Sequence, residues 1–400
     1  MTDTLLTDQL TVETVPAYLA ARPRLAGPVD PASIVSVDEV GDGNLNLVFI
    51  VKDAAGNGVV VKQSLPHVRV DPSWPLTRER AAREAVVLGV HERIDPAHVP
   101  AFHGFDAENL ALSIEDLSDH AVWRGELIAG RLHPYAAAQL GEYVGAVGFA
   151  TSVFGIPGPE RRRRIAEATN PELSEITEDL VFTEPYVDHE HNGWLDANAD
   201  DVRDLRADRV FVREMGLAKQ RFQESTQSLM HGDLHTGSVF VRAEGESVRA
   251  FDSEFGTYGP TGFDLGAVWA NLVIAAARAQ VLGRSADAET LLRLPVELVD
   301  AFELEFRRRW PDRVDPRVYG DEVLEHTLAQ VRSDAAVYAA AKAVRRIVGY
   351  SKVADILTLP EPEQAAAARL VLRVACTLGT ARLDDADPRV LTARTVEVRG

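Results

Sequence analysis

The chain has 400 residues, too many for one small core, so two lobes or two domains sharing a cleft are expected. It is 46% hydrophobic and 26% charged, ordinary for a globular protein, and its formal net charge of −19 at pH 7 disfavours nucleic acid and anionic lipid as partners. A single cysteine, Cys376, excludes a disulfide within the chain, and the apolar residues around it predict a buried thiol on a helix.

The N-terminus, Met1-Thr2-Asp3-Thr4, carries no basic-then-apolar secretion signal, so a cytoplasmic protein is expected. Ile34–Val37 and Leu47–Val51 are β-branched runs flanking Gly41-Asp42-Gly43-Asn44, and Val59–Lys62 is a third strand after the turn Gly56-Asn57-Gly58. A helix is predicted from about Leu76 to Ile94, then a strand from Leu110 to Ile114 that runs into Glu115-Asp116-Leu117. From His133 onward helical periodicity dominates, as in Tyr135–Ala150 and Val296–Trp310, except for a small hairpin between Ser238 and Phe255. The basic run Arg161–Arg164 reads as a solvated helix start, and His189-Glu190-His191 as a solvated polar loop. Phe263–Leu282 contains Asp264, Asn271 and Arg278, so it reads as a buried helix and not a membrane span. Strands followed by helices in blocks predict an α+β protein, with a strand-rich lobe over residues 1–117 and a helical lobe over 118–400.

The segment His231-Gly232-Asp233-Leu234-His235-Thr236-Gly237-Ser238 opens the hairpin. A hydroxyl that accepts phosphate needs a carboxylate to orient it and take its proton, and Asp233 suits that task. Taken alone the triplet is also ordinary turn chemistry. A metal cluster of His231, Asp233 and His235 is disfavoured, because no helix puts i and i+4 ligands on one face. After the hairpin comes Asp252-Ser253-Glu254, two carboxylates at i and i+2 that point the same way on an extended segment and can face one Mg2+ ion. Gly41, Gly43 and Asn44 lie between two strands, where small residues let backbone N–H groups approach phosphate oxygens. Lys62 ends a strand and can pair with phosphates, Glu84 on the next helix can hold its ammonium, and Glu115 to Leu117 can offer backbone groups to an adenine edge. Each feature has a bland reading. Their occurrence in this order describes one kinase-like site for ATP.

The ordered motifs resemble the aminoglycoside phosphotransferase and choline kinase superfamily, which has the bilobal protein-kinase-like fold. Within it the chain is similar to the family of 5-methylthioribose kinases over nearly its whole length. The matching stretches include GDGNLNLVF at Gly41–Phe49, SWPLT at Ser73–Thr77, HGDLHTGS at His231–Ser238, YGPTGFDLG at Tyr258–Gly266 and RRIVGYSKVADI at Arg345–Ile356. The resemblance implies transfer of the γ-phosphate of ATP to the 1-hydroxyl of 5-methylthioribose, in methionine salvage. It also implies Asp233 as catalytic carboxylate, Asp252 and Glu254 as magnesium ligands, and Arg345 and Arg346 as twin arginines facing sugar and phosphate. Trp74 belongs by the same resemblance to a loop closing beside the sugar, Asn46 to the substrate side, and a homodimer is implied. Three departures stand out: Ser238 where the superfamily has a metal-binding asparagine (a serine shared with the methylthioribose kinases), Ser253 where the family has proline, and Gly256-Thr257 for an apolar–aromatic pair.

Two other readings follow from the same residues. The acceptor can be another sugar or an amino alcohol, although Arg345 and Arg346 would repel a cationic substrate. The chain can instead be an inactive nucleotide-binding regulatory module, although retention of Asp233, Lys62, Asp252 and Glu254 argues against it.

Overall fold

The computed structural model describes residues 9–41, 46–67 and 75–399. It divides into two compact units, one of residues 1–119 with 252–254 and one of residues 120–251 with 255–400.

In the first unit, short β-branched runs become an antiparallel five-stranded sheet in the order β1-β2-β3-β5-β4. Its strands are β1 (Ile34–Glu39), β2 (Asn46–Asp53), β3 (Gly58–Ser64), β4 (Phe102–Asp106) and β5 (Ala111–Glu115). Period-two alternation sends Phe49, Val51, Val59 and Val61 to one face, where they are buried with Val15 and Leu19 of helix α1 (Val15–Ala21). Lys62, next along β3, therefore points to the opposite face. It does not end the strand as the sequence suggested: it is paired with Val48 and Leu112, and β3 runs on to Ser64. The β2–β3 turn forms as predicted: Asp53 Oδ1 accepts the Ala55 and Asn57 N–H groups, both at 2.9 Å, and Gly56 takes φ +87°. Helix α2 (Arg80–Ile94) starts four residues later than predicted, because Leu76 N–H is committed to the Pro66 carbonyl and Arg80 Nη1 to the Leu65 and Thr77 carbonyls.

The second unit is mostly helical. The Gly262–Val281 helix is buried nearly all round, among the helices Ser285–Arg309, Asp321–Val348 and Glu361–Ala381. Gly262 and Gly266 permit that approach. A Cβ at either would meet backbone atoms of Ala335 at 2.8 Å, so the Asp321–Val348 helix lies against bare backbone. The predicted hairpin is present, pairing Val239–Arg242 with Ser247–Ala250. The arginine run opens the Gly158–Glu167 helix, where Arg163 and Arg164 pair with Glu160. Cys376 is half-buried, not fully buried, and burial still pushes its thiol up to about 12. Among the described residues no helix is long and apolar enough to cross a membrane.

Candidate active site

Lys62 is the centre of a charged cluster in the first unit. Its ammonium donates to Glu84 Oε1 on α2 at 2.8 Å and pairs closely with Asp252. Glu254 accepts from Asn46 Nδ2 at 3.0 Å, and Arg80 Nε stands 3.7 Å from the same oxygen. Carboxylate oxygens of Glu84, Asp252 and Glu254 lie within 4.8 Å of one another. Three carboxylates then face two cations, Lys62 and Arg80. Burial, with Asp252 and Glu84 adding to it, lifts the Glu254 carboxyl to about 7. Burial works against the Lys62 charge, but Asp252, Glu84 and Glu254 outweigh it and raise the ammonium's pKa. A surplus of hard oxygen ligands in a small volume fits a divalent cation. Asp252 does not reach this cluster by extended geometry as expected; its φ of +67° turns the backbone left-handed.

The second unit carries the His-Gly-Asp loop. Asp264, in the first turn of the Gly262–Val281 helix, accepts the N–H groups of His231 (2.7 Å) and Gly232 (3.0 Å). Gly232 has φ +86°, and a Cβ there would collide with the Phe255 carbonyl, so only glycine fits. His231 Nε2 lies 2.9 Å from the Phe251 carbonyl, and His235 Nδ1 accepts the Gly237 N–H. Both imidazoles thus brace the loop. Ser238, at the superfamily's asparagine position, donates to the Asp233 carbonyl at 2.8 Å and accepts from the His235 N–H at 3.0 Å, so its hydroxyl fastens the loop.

Around the Asp233 carboxylate the charge is positive. Lys342 Nζ donates to Asp233 Oδ1 at 2.8 Å, and His235 Nε2 is 3.4 Å from Oδ2. Burial favours the neutral acid, but Lys342, His235, Arg346 and Arg345 outweigh it and hold Asp233 well below the usual carboxylate range. Burial, with Arg345 beside it, brings Lys342 down to about 8. Arg346 is buried and donates to Ser351 Oγ at 2.8 Å, while Arg345 is half-buried with Nε unpartnered among the described residues. Arg124 adds a further guanidinium, held by Asn271 Oδ1 at 2.9 Å and by Asp355 at 3.1 Å. Such an arrangement complements an anion arriving at a carboxylate.

The predicted residues are thus brought into two groups: Asn46, Lys62, Glu84, Asp252 and Glu254 in one, Asp233, Arg345 and Arg346 in the other. Gly41 sits exposed in the turn after β1. Gly43, Asn44 and Trp74 lie outside the described residues. Glu115 spends its N–H on the Ala101 carbonyl and its carboxylate on the Ala101 N–H, while Leu117 is buried. Lys342 and Arg124 were missed. Lys342 is three residues before Arg345 and four before Arg346, a helical spacing that puts all three cations on one side of the Asp321–Val348 helix. Its place in the run Ala339-Ala340-Ala341-Lys342-Ala343 disguises it as core.

Residues 36–299 match the model of the phosphotransferase enzyme family. The chain belongs to that family and is an enzyme that transfers phosphate to a hydroxyl acceptor. Its similarity extends to the methylthioribose kinase of Pectobacterium atrosepticum, 40% identical over 92% of this chain and 94% of that protein. The methylthioribose kinase of Citrobacter koseri is likewise 40% identical, over 90% of each chain. A solved ethanolamine kinase of Plasmodium vivax is a distant likeness, at 14% identity and a TM-score of 0.43 over 83% of this chain and 84% of that one. The α+β class expected from the sequence, an antiparallel-sheet first part and a helical remainder, stands.

Proposed function

We propose that the protein transfers the γ-phosphate of ATP to the 1-hydroxyl of 5-methylthioribose. The observation that carries this reading is the Asp233 carboxylate set among Lys342, His235, Arg345 and Arg346, in a chain 40% identical to methylthioribose kinases over nine-tenths of its length. Asp233 accepts the hydrogen bond of the acceptor hydroxyl and takes its proton as the oxygen attacks phosphorus. Its low pKa makes it a weak base, which suits a loose transition state in which orientation of the hydroxyl matters more than early proton removal. Arg345 and Arg346 meet the phosphoryl charge as it develops, and Lys342 holds the carboxylate in register.

On the nucleotide side, Lys62 pairs with phosphate oxygens and Glu84 keeps it extended. Gly41, Gly43 and Asn44 supply backbone donors, and the Glu115 carbonyl and Leu117 backbone address the adenine edge. Asp252 and Glu254 would hold Mg2+, which would supply positive charge to offset that of the triphosphate. Trp74 and Asn46 serve the sugar side, Trp74 by excluding water that would compete as acceptor. The protein works in the cytoplasm, as a homodimer.

Asp233→Asn keeps the side chain's shape and removes the base. Turnover should drop by about 100- to 10,000-fold, the span a positioned general base contributes, while nucleotide affinity in equilibrium titration stays within about twofold. Turnover near the wild-type level would reject the assignment. A cationic amino alcohol or aminoglycoside is a poor alternative acceptor, because Lys342, Arg345 and Arg346 around Asp233 are themselves cations.

A further inference from the structure

One cluster of ligating side chains takes no part in the chemistry described so far. Glu184 opens the short turn Glu184–Tyr186, and its buried carboxylate faces two imidazoles from the loop that follows. His191 Nδ1 is 3.0 Å from Glu184 Oε2, and His189 Nδ1 is 3.7 Å from the same oxygen. One ligand atom from each of the three residues lies within 4.8 Å of the others. Four-coordinate zinc with arms of about 2.0–2.1 Å has ligand–ligand edges of roughly 3.3 Å, between the two measured separations. The His189 Nδ1 atom accepts the His191 backbone N–H at 3.2 Å, a bond that an ion at this nitrogen would replace. The loop is built to hold this shape: Asn192 Nδ2 donates to the Glu184 carbonyl at 2.7 Å and to the Val187 carbonyl at 2.9 Å.

We propose that Glu184, His189 and His191 form a binding site for a borderline-soft divalent cation, Zn2+ foremost, with a water molecule completing the tetrahedron. Two imidazoles and one carboxylate are a donor set that favours zinc over magnesium, which prefers an all-oxygen octahedron. The site is distinct from the Glu84–Asp252–Glu254 oxygens, which offer no nitrogen. The consequence of binding is structural. Gly193 N–H donates to the Val348 carbonyl at 2.9 Å, and Gly193 and Trp194 line a cavity of about 160 Å³ together with Arg346 and Lys352. A metal at the start of this loop fixes one wall of the cavity beside Arg346.

The test uses untagged full-length protein, stripped with chelator and kept in excess Mg2+ so that the carboxylate cluster is saturated. Zinc titration followed by elemental analysis should give one tightly held Zn2+ per chain, and Co2+ in its place should give the intense visible bands of a four-coordinate ion. His189→Ala alters an exposed side chain and should fold normally. Losing a direct ligand should cost zinc affinity at least about 100-fold, the upper end of what outer-shell changes cost. Glu184→Gln, nearly isosteric, is the second arm and should weaken zinc similarly, with the zinc-dependent rise in melting temperature lost in both. Unchanged zinc affinity in the two variants, or no zinc retained by the wild type, overturns the proposal.

Discussion

Lys342 and Asp233 form the contact on which the proposed chemistry is most finely balanced. Lys342 sits at about 8 because burial and Arg345 oppose its charge, with Asp233 alone acting strongly in its favour. Above that value the ammonium loses its proton, and with it the cation that positions Asp233. The pH profile of kcat/KM should therefore fall on its alkaline side with an apparent pKa near 8. Lys342→Arg keeps the charge at every accessible pH and should shift that limb upward even where it lowers the rate. Glu254 gives a second pH signature of opposite sign. Its carboxyl, lifted to about 7, must lose a proton before it can hold a metal ion. Apparent Mg2+ affinity, measured by titration of the nucleotide-free protein, should rise by up to about tenfold per pH unit below 7 and level off above. Asp233, Asp252 and Glu254 were legible because their short motifs bracket a predicted hairpin, a position that sets them apart from ordinary surface carboxylates. Lys342 was not, because a lysine inside an alanine run is recognisable only once its helix has been docked.

At the scale of elements, short-range signals read well. The hairpin Val239–Ala250, the helix Tyr135–Ala150 and the Gly56-Asn57-Gly58 turn all fall where alternation, periodicity and turn residues put them. Boundaries set by tertiary hydrogen bonds did not, as the late start of α2 illustrates: Arg80 is drawn to carbonyls on either side of a segment that local propensity would have wound into helix. The left-handed turn at Asp252 is likewise a product of packing, since nothing local distinguishes it from an extended pair. The glycines that let helices touch have a direct consequence for activity. Adding one methyl group at Gly266 would meet Tyr338 Cβ at 2.7 Å and the Ala335 carbonyl at 2.8 Å. Gly266→Ala should cost about 1–3 kcal/mol in chemical denaturation, typical of overpacking. Because Lys342, Arg345 and Arg346 ride on the displaced helix, kcat should fall as well, with KM for ATP changed little. A loss of stability with full activity would show that the helix yields without moving its cations.

For the molecule as a whole, charge sets the terms. A chain of formal charge −19 binds a polyanionic nucleotide only if local cations and a metal ion offset the repulsion. In the first unit Lys62 is already occupied by Glu84 and Asp252, so it cannot carry the triphosphate alone. Chelation of divalent ions should accordingly remove both turnover and tight ATP binding, and Mg2+ should restore both; ATP bound equally well in chelator would remove the metal from its assigned place. Fold class was readable from the order of strands and helices. The acceptor was readable only through resemblance, because the cations around Asp233 exclude positively charged acceptors without selecting among neutral sugars. The decisive measurement is ADP release with ATP and Mg2+ across 5-methylthioribose, ribose, choline and an aminoglycoside. The kcat/KM for 5-methylthioribose should exceed that for ribose by about 10- to 200-fold, the span a small apolar group commands, with the cationic acceptors slower still. Faster turnover of choline or the aminoglycoside, or ADP release indifferent to any acceptor, would contradict it.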